Sequence, residues 1–277
     1  MKFTKMHGCQ NDFVFVNCFN ENIAANLNEL ARNICDRRLG VGADGLILVR
    51  PSTKADAFMQ IFNADGSEDT MCGNGIRCTA KYVHDHGIIP TGKTHTSIDT
   101  ADGVKEIDLE LNNGKVKIAT VDMGLPKLTS ELPEAINVHG WHLNFVGIDD
   151  GTDHAVYFVE DNPEIQDINS WPDSEFAKYG VDFENHSRFP NRTSSNFIKI
   201  LSRDEINMRV FERGCGETMA CGTGATASAF AGVLLGKLDN EVLVHLRGGD
   251  LRIRVDSEKR CFLIGPAIEV FSGEYEL

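Results

Sequence analysis

Hydrophobic and polar residues follow a strand-like pattern over most of the chain, and helical spacing is confined to a few segments. The strand-like segments include DFVFVN, DGLILVR, AFMQIFN and KEIDLELNNGKVKIATV, and later HLNFVGI, AVYFV, SNFIKILS, EINMRVFE, EVLVHLR and DLRIRVDSEKRCFLIG. Two segments, GIRCTAKYVHDHG (75–87) and GATASAFAGVLLG (224–236), predict helices that end at a glycine. Weaker patterns predict helices over 27–37 and 162–178.

The two glycine-terminated helices belong to a repeat. When Cys72 is aligned with Cys221, neighbouring residues coincide: Phe62 with Phe211, Glu68 with Glu217, and glycines 73, 75 and 87 with 222, 224 and 236. We therefore predict two related halves, residues 1–121 with 265–277 returning, and residues 122–264. The predicted fold class is α+β, with two pseudo-symmetric domains, each a mostly antiparallel sheet or barrel around a central helix. The active site is expected in the cleft between them.

Charge and composition limit the partners that this chain can have. With 41 acidic against 27 basic residues, the formal charge is −14, which repels phosphate backbones and anionic membrane surfaces. We therefore expect neither nucleic acid nor a membrane as a partner. No apolar run is long enough to cross a bilayer, and MKFTKMHG lacks the apolar core of a secretory signal. We expect a soluble, cytoplasmic protein whose eight cysteines are thiols.

The glycine and cysteine motifs of this chain do not match the patterns typical of cofactor and metal sites. GVGADG (40–45) matches a dinucleotide fingerprint, but it lies between a predicted helix and a predicted strand, the reverse of the required order. The pairs Cys72/Cys78 and Cys215/Cys221 are spaced more widely than paired zinc ligands, and no histidine pair completes a set. No lysine stands in a setting typical of pyridoxal phosphate enzymes. We expect neither a metal nor a cofactor.

What remains is a cysteine at the N-terminus of each predicted helix, Cys72 and Cys221. The N–H groups and the helix dipole at such an end favour negative charge, so we expect a lowered thiol pKa. The same N–H groups can hold a carboxylate. Two such thiols, on opposite sides of a carbon next to that carboxylate, can invert the carbon by removing one proton and delivering another. Two buried cysteines that only cap related helices remain the alternative at this point.

Six blocks of sequence, in order, carry a family resemblance. They are KMHGCQNDFV (5–14), DRRLGVGADGLILV (36–49), FNADGSEDTMCGNGIRC (62–78), DHAVYFV (153–159), FPNRT (189–193) and FERGCGETMACGTGA (211–225). This set spans essentially the whole chain and resembles the diaminopimelate epimerases, cofactor-independent two-cysteine enzymes of lysine and peptidoglycan biosynthesis. The resemblance implies a small amino-acid substrate, LL-diaminopimelate converted to the meso form, and two domains of similar topology. It is also compatible with a homodimer.

The resemblance assigns roles to particular residues. Cys72 and Cys221 are implied to be the thiolate/thiol acid–base pair, with His154 assisting the first and Glu212 the second. The implied substrate ligands are the amides of Gly73, Asn74, Gly222 and Thr223 for the reacting carboxylate, Asn11 for the amino group, and Asn63 and Arg213 for the far end. An arginine fork suits a second carboxylate, which favours a diamino-diacid as substrate.

Two departures from the family pattern fall on the pocket. Thr152 stands where the family often has asparagine, before Asp153 in place of proline. Ser194 also replaces an asparagine, and Asn196 follows two places on. Both shorter side chains offer fewer hydrogen bonds than an amide. Two alternative functions therefore stay open, a racemase of the same fold acting on another amino acid such as histidine, and a non-catalytic amino-acid-binding protein.

Overall fold

A computed structural model describes residues 1–21, 23 and 26–277. The chain divides into two compact units, residues 1–122 with 264–277, and residues 123–263. Among the described residues, none of the helices combines the length and the apolar character needed to cross a membrane.

Strands and helices are numbered in chain order. The strands are β1 Lys2–Gly8, β2 Asn11–Asn17, β3 Gly45–Arg50, β4 Ala57–Asn63, β5 Glu68–Asp69, β6 His95–Thr100, β7 Gly103–Asn112, β8 Lys115–Gly124, β9 Lys127–Leu128, β10 Glu134–Val138, β11 Trp141–Asp149, β12 Asp153–Phe158, β13 Ser194–Ser202, β14 Glu205–Glu212, β15 Gly216–Glu217, β16 Glu241–Leu246, β17 Gly249–Val255, β18 Cys261–Pro266 and β19 Ile268–Glu274. The α-helices are α1 Leu27–Cys35, α2 Gly73–Asp85, α3 Asp173–Glu184 and α4 Gly222–Leu234.

In the first unit the strands pair in the order β19, β1, β2, β3, β4, β6, β7, β8. Neighbours are antiparallel except for β2–β3 and β4–β6, which are parallel. Helix α2 contacts six of these strands, from β1 to β7, and its residues from Gly73 to His84 are all buried. A helix buried on every side must be surrounded by other elements, so this sheet wraps around α2.

The second unit repeats the part of this arrangement that runs from β1 to β7. Its order is β11, β12, β13, β14, β16, β17, antiparallel except for the parallel pairs β12–β13 and β14–β16. Helix α4 contacts β11, β12, β13, β16 and β17. Short strands β5 and β15 occupy equivalent places beside β4 and β14. The predicted repeat and the α+β fold class are therefore confirmed.

Both central helices end as their sequences predict. Gly87 and Gly236 follow α2 and α4 with φ of +71° and +69°, in the left-handed region that favours glycine. Their N–H groups donate to the carbonyls of His84 and Val233, which satisfies helix-end acceptors. The predicted turn at 112–114 is also present, because Asn113 and Gly114 both have positive φ between β7 and β8.

The helix predicted over 162–178 is wrong in position. This stretch contains two short 3₁₀ turns, Pro163–Ile165 and Ile168–Ser170, and only then α3 at Asp173–Glu184. Pro172 precedes α3 as its N-cap. Proline disfavours helical backbone in the residue before it, so one continuous helix cannot form through this point.

In the second unit, an aromatic cluster packs against one face of three strands whose opposite face carries predicted site residues. Tyr157 of β12, Phe197 of β13 and Phe211 of β14 belong to this buried cluster. Tyr157 and Phe197 stack with ring centroids 5.4 Å apart. Because side chains alternate between the faces of a strand, His154, Asn196 and Glu212 lie on the opposite face of the same strands.

Candidate active site

Cys72 is the N-cap of α2. Its backbone is extended, with φ −139° and ψ 121°, and its Sγ accepts a hydrogen bond from the N–H of Gly75 at 3.4 Å. The thiol is partly exposed, whereas Gly73 and Asn74 in the first turn are buried. The predicted position of this cysteine at a helix N-terminus is confirmed. The first-turn amides carry the partial positive charge of the helix end beside the sulfur.

Asn11 lies directly beside this thiol. The Cys72 Sγ–H donates to Asn11 Oδ1 at 3.7 Å, and Asn74 Nδ2 donates to the same oxygen at 3.1 Å. Asn11 is the first residue of β2, after a tight turn in which Cys9 and Gln10 have φ of 53° and 66°. Two non-glycine residues with positive φ are unusual in one turn, and such strain is found at functional sites. The structure thus brings together three predicted site residues, Asn11, Cys72 and Asn74.

Asn63 is held differently. It ends β4, and its side-chain Nδ2 donates to Ser67 Oγ at 3.1 Å while its N–H donates to Ser67 O at 2.8 Å. These bonds fix Asn63 in the turn before β5. It is not part of the hydrogen-bonded group formed by Asn11, Cys72 and Asn74.

Cys221 is the N-cap of α4, in the position equivalent to Cys72. Its Sγ accepts from the N–H of Gly224 at 3.3 Å and lies 3.4 Å from Thr223 Oγ1. Unlike Cys72, it is buried, with 4% of its surface exposed. The second half therefore supplies the same sulfur at a helix end, but in a less accessible environment.

The expectation of a lowered thiol pKa is wrong for Cys221. Burial raises the pKa of this thiol well above its usual value, and the nearby charge of Glu212 raises it further. The hydrogen bonds from Thr223 and Gly224 act in the opposite direction but are outweighed. Because desolvation disfavours the charged form, Cys221 is a protonated thiol at neutral pH.

Glu212 is placed to exchange a proton with Cys221. It is the last residue of β14, and its carboxylate accepts a hydrogen bond from the Cys221 thiol. Thr218 Oγ1 also donates to Glu212 Oε1. A carboxylate bonded to both a hydroxyl and a thiol is oriented for proton transfer with that thiol. The assistance of Cys221 by Glu212 stays a prediction.

His154 is buried on β12, and its pKa is lowered to about 3. Burial is the main cause, and the positive charge of Arg213 adds to it. Asn196 Nδ2 donates to His154 Nδ1 at 3.2 Å, so the ring proton is on Nε2. Nε2 lies 3.6 Å from Asp150 Oδ1, but a neutral ring does not form an ion pair there. His154 is therefore a neutral imidazole of fixed tautomer.

The two departures from the family pattern have different surroundings. Ser194 is buried, and its Oγ accepts from the backbone N–H of Arg213 at 3.1 Å. Thr152 is partly exposed, and its carbonyl accepts from the N–H of Asp150 at 3.4 Å. Arg213 itself is exposed. Ser194 thus anchors the backbone that carries the predicted arginine.

Sequence reasoning missed three residues that hold the predicted ones. Asp44 accepts from Asn11 Nδ2 at 2.8 Å, Arg77 donates to Asn74 Oδ1 at 2.9 Å, and Thr218 donates to Glu212. All three lie in the family blocks, so their polar or charged character inside a motif was the available signal. Within 1–21, 23 and 26–277, no group of three or more His, Cys, Asp or Glu side chains is placed to hold a metal ion.

Comparison with known proteins identifies the family. The family model for diaminopimelate epimerase matches residues 3–129 and 146–270. The chain belongs to the diaminopimelate epimerase family. Diaminopimelate epimerases from Agathobacter rectalis and Pelotomaculum thermopropionicum are 46% and 45% identical to it, over 100% and 99% of both chains respectively. One from Methanococcus maripaludis is 39% identical over 100% of both chains. The resemblance predicted from six blocks is confirmed.

More distant solved structures share the fold of this diaminopimelate epimerase family member. A probable proline racemase from Agrobacterium radiobacter K84 superposes with a TM-score of 0.76 at 15% identity, covering 100% of this chain and 93% of that chain. A PhzF-family phenazine biosynthesis protein from Bacillus anthracis gives 0.70 at 16% identity, covering 100% and 99%. At these identities the likeness shows the fold alone.

Proposed function

We propose that this protein is a cofactor-independent epimerase that interconverts LL- and meso-diaminopimelate, with Cys72 and Cys221 as the two bases. The observation that carries the proposal is that a cysteine caps the buried central helix of each repeated unit. Full-length relatives at 39–46% identity that bear the name diaminopimelate epimerase support the substrate.

The proposed reaction moves one proton off the α-carbon and another onto its opposite face. A thiolate takes the α-proton, the C–H electron pair spreads into the adjacent carboxylate, and the second thiol supplies the new proton. The first-turn amides of α2 and α4 stabilise the negative charge that develops on the carboxylate. The raised pKa of Cys221 supports its role as the proton donor in the resting enzyme, and the Glu212 carboxylate can take up a proton from solvent and pass it to the resulting Cys221 thiolate.

The remaining site residues recognise and activate the substrate in this proposal. Asn11 Oδ1 accepts a hydrogen bond from the α-ammonium group, and Arg213 binds the distal carboxylate together with Asn63. Neutral His154 offers its Nε2–H as a hydrogen-bond donor and adds no permanent charge to the site. Two carboxylate-binding ends make a diamino-diacid the preferred substrate.

The decisive experiment is α-deuterium exchange in heavy water with LL-diaminopimelate, meso-diaminopimelate and histidine as separate substrates. We expect exchange and epimerisation with diaminopimelate, and loss of epimerisation by at least about 100-fold in Cys72→Ala and Cys221→Ala. Cys215→Ala is the matched control, because Cys215 is exposed and does not cap a helix. Exchange with histidine alone would indicate a racemase of different specificity. Binding of diaminopimelate without any exchange would indicate a binding protein.

A further inference from the structure

The hydrogen bonds around Asn11 form one continuous chain in the first unit. Arg77 Nη2 donates to Asn74 Oδ1 at 2.9 Å, Asn74 Nδ2 donates to Asn11 Oδ1 at 3.1 Å, and Asn11 Nδ2 donates to Asp44 Oδ2 at 2.8 Å. Two side-chain amides are thus connected head to tail between an arginine and an aspartate.

The two ends of this chain have opposite and fixed hydrogen-bonding character. A guanidinium can only donate, and an ionised carboxylate can only accept. If either amide were reversed, a donor would face a donor or an acceptor would face an acceptor at one end of the chain. Arg77 and Asp44 therefore determine which way both amides point.

The arginine end is immobile. Arg77 is fully buried, and its guanidinium also donates to the carbonyls of Gly73 at 2.8 Å and Pro266 at 3.3 Å. A Cβ on Gly8 would lie only 3.0 Å from Arg77 Nη2, so the strand β1 closes the space around it. Burying a guanidinium is costly, and the hydrogen bonds at α2 compensate for that cost.

The aspartate end is held as well. Arg37 Nη2 donates to Asp44 Oδ1 at 2.7 Å, and the N–H of Asp12 donates to Asp44 Oδ2 at 3.1 Å. The N–H of Asp44 donates in return to Asp12 Oδ1 at 3.1 Å. These bonds hold the Asp44 carboxylate in place and direct one oxygen at Asn11.

The orientation of the two amides determines which atom of Asn11 faces the Cys72 thiol. Because both amides are oriented, Asn11 presents its oxygen, not its NH₂ group, to Cys72 Sγ at 3.7 Å. An oxygen there accepts from a thiol or from a substrate ammonium group, whereas an NH₂ group repels an ammonium group and stabilises a thiolate. We infer that Asp44 and Arg77 are positioning residues that hold Asn11 Oδ1 as the acceptor for the substrate's α-ammonium group beside Cys72. This inference rests on the proposed function.

The test uses Asp44→Asn in the full chain, because Asp44 is at the accessible end whereas Arg77 is buried. An asparagine at 44 can donate or accept, so it no longer fixes the orientation of Asn11, which is then held only through Asn74. We expect the KM for diaminopimelate to rise about tenfold with a much smaller change in kcat, since a hydrogen bond to a charged group is lost. We also expect the pH midpoint for alkylation of Cys72 to fall by about one unit.

A double-mutant cycle separates positioning from a simple change of charge. The Asp44→Asn substitution is made in the wild-type protein and in Asn11→Ala. In each, the pH midpoint for alkylation of Cys72 is measured by peptide mass spectrometry. If Asp44 acts through Asn11, its substitution has little further effect in the Asn11→Ala background. Equal effects in both backgrounds would overturn the inference, because Asp44 would then influence the thiol without acting through Asn11.

Asp12→Asn is the charge control. It removes one carboxylate from the same ion-pair cluster with Lys5 and Arg37 but leaves the Asn11 to Asp44 hydrogen bond in place. We expect its KM to stay within about twofold of the wild type. A tenfold rise in Asp12→Asn would show that the cluster's charge, and not the orientation of Asn11, sets substrate binding. The alkylation cycle needs no turnover, so it decides the inference even if the wild type shows no α-exchange and the proposed function fails.

Discussion

Asn196 donates a hydrogen bond from Nδ2 to Nδ1 of His154 at 3.2 Å, and both side chains are buried on adjacent parallel strands. A buried imidazole that is neutral and held in one tautomer presents its Nε2–H as a hydrogen-bond donor of fixed direction. Ser194 lies two residues before Asn196, on the same face of β13. In this chain the amide at 196 supports the histidine, and the serine at 194 supports Arg213.

The buried state of His154 predicts a specific loss of stability in acid. Its pKa is about 3 in the folded protein against 6.5 when exposed. Below pH 6.5 the unfolded chain binds a proton at His154 that the folded chain does not, so the free energy of unfolding falls as pH decreases toward 3. We expect urea unfolding to show that, as pH decreases through this window, the free energy of unfolding of His154→Gln falls by about 1 kcal/mol less per pH unit than that of the wild type. Equal slopes for both proteins would contradict a neutral buried His154.

Much of the fold follows from features that act locally. Gly87 and Gly236 end the central helices because the left-handed backbone that closes each helix favours glycine. The repeat around Cys72 and Cys221 correctly predicts two units of the same topology, since equivalent strands and helices must bury equivalent apolar faces. The helix predicted over 162–178 is wrong because Pro172, which the sequence shows, disfavours helical backbone in the residue before it whatever the apolar spacing.

The site was predicted less completely, because its properties depend on tertiary surroundings. Cys72 and Cys221 have equivalent positions at helix ends in the sequence, but only the folded chain shows that Cys221 is desolvated and next to Glu212. Desolvation of a thiol outweighs the partial charge of a helix end. Asp44 and Arg77 come near Asn11 only through strand pairing and helix burial, which no local pattern encodes.

Glu212→Gln should change both the acidity of Cys221 and the rate of the reaction. Removing the carboxylate charge lowers the pKa of the Cys221 thiol, because that charge is one of the groups that raise it. A glutamine cannot accept the thiol proton, so kcat should fall by about 100-fold or more. Alkylation of Cys221 as a function of pH and steady-state kinetics measure the two effects. Glu217→Gln is the control, because Glu217 pairs with Arg209 and should leave the alkylation profile unchanged.

Gly224→Ala should destabilise the protein and impair the function of Cys221, although it substitutes neither Cys72 nor Cys221. A Cβ at this position would lie 2.7 Å from Asn196 Oδ1, 2.7 Å from Met208 Cε and 3.2 Å from Cys221 Sγ. Relieving these contacts displaces the first turn of α4, with an expected loss of about 1–3 kcal/mol in unfolding free energy.

The matched glycine lies just past the end of the same helix, at Gly236, where a Cβ would meet no atom within 4 Å. Its φ of +69° makes Gly236→Ala strained by about 1 kcal/mol, so it should lose stability but keep kcat. Chemical denaturation and kinetics on both variants check the pair. Comparable losses of kcat would show that α4 geometry near Cys221 has no special role.

Ser194→Ala and Ser195→Ala should behave in opposite ways although they are neighbours on one strand. Ser194 Oγ accepts from the backbone N–H of Arg213, so its removal leaves that N–H unpaired and loosens the arginine. If Arg213 binds the distal carboxylate, KM for diaminopimelate should rise about tenfold with little change in kcat. Ser195 Oγ is buried on the other face and has no hydrogen-bond partner among the described residues, so its removal should leave KM unchanged and not lower stability. A rise in KM for Ser195→Ala equal to that for Ser194→Ala would mean that general loosening of β13, and not the hold on Arg213, weakens substrate binding.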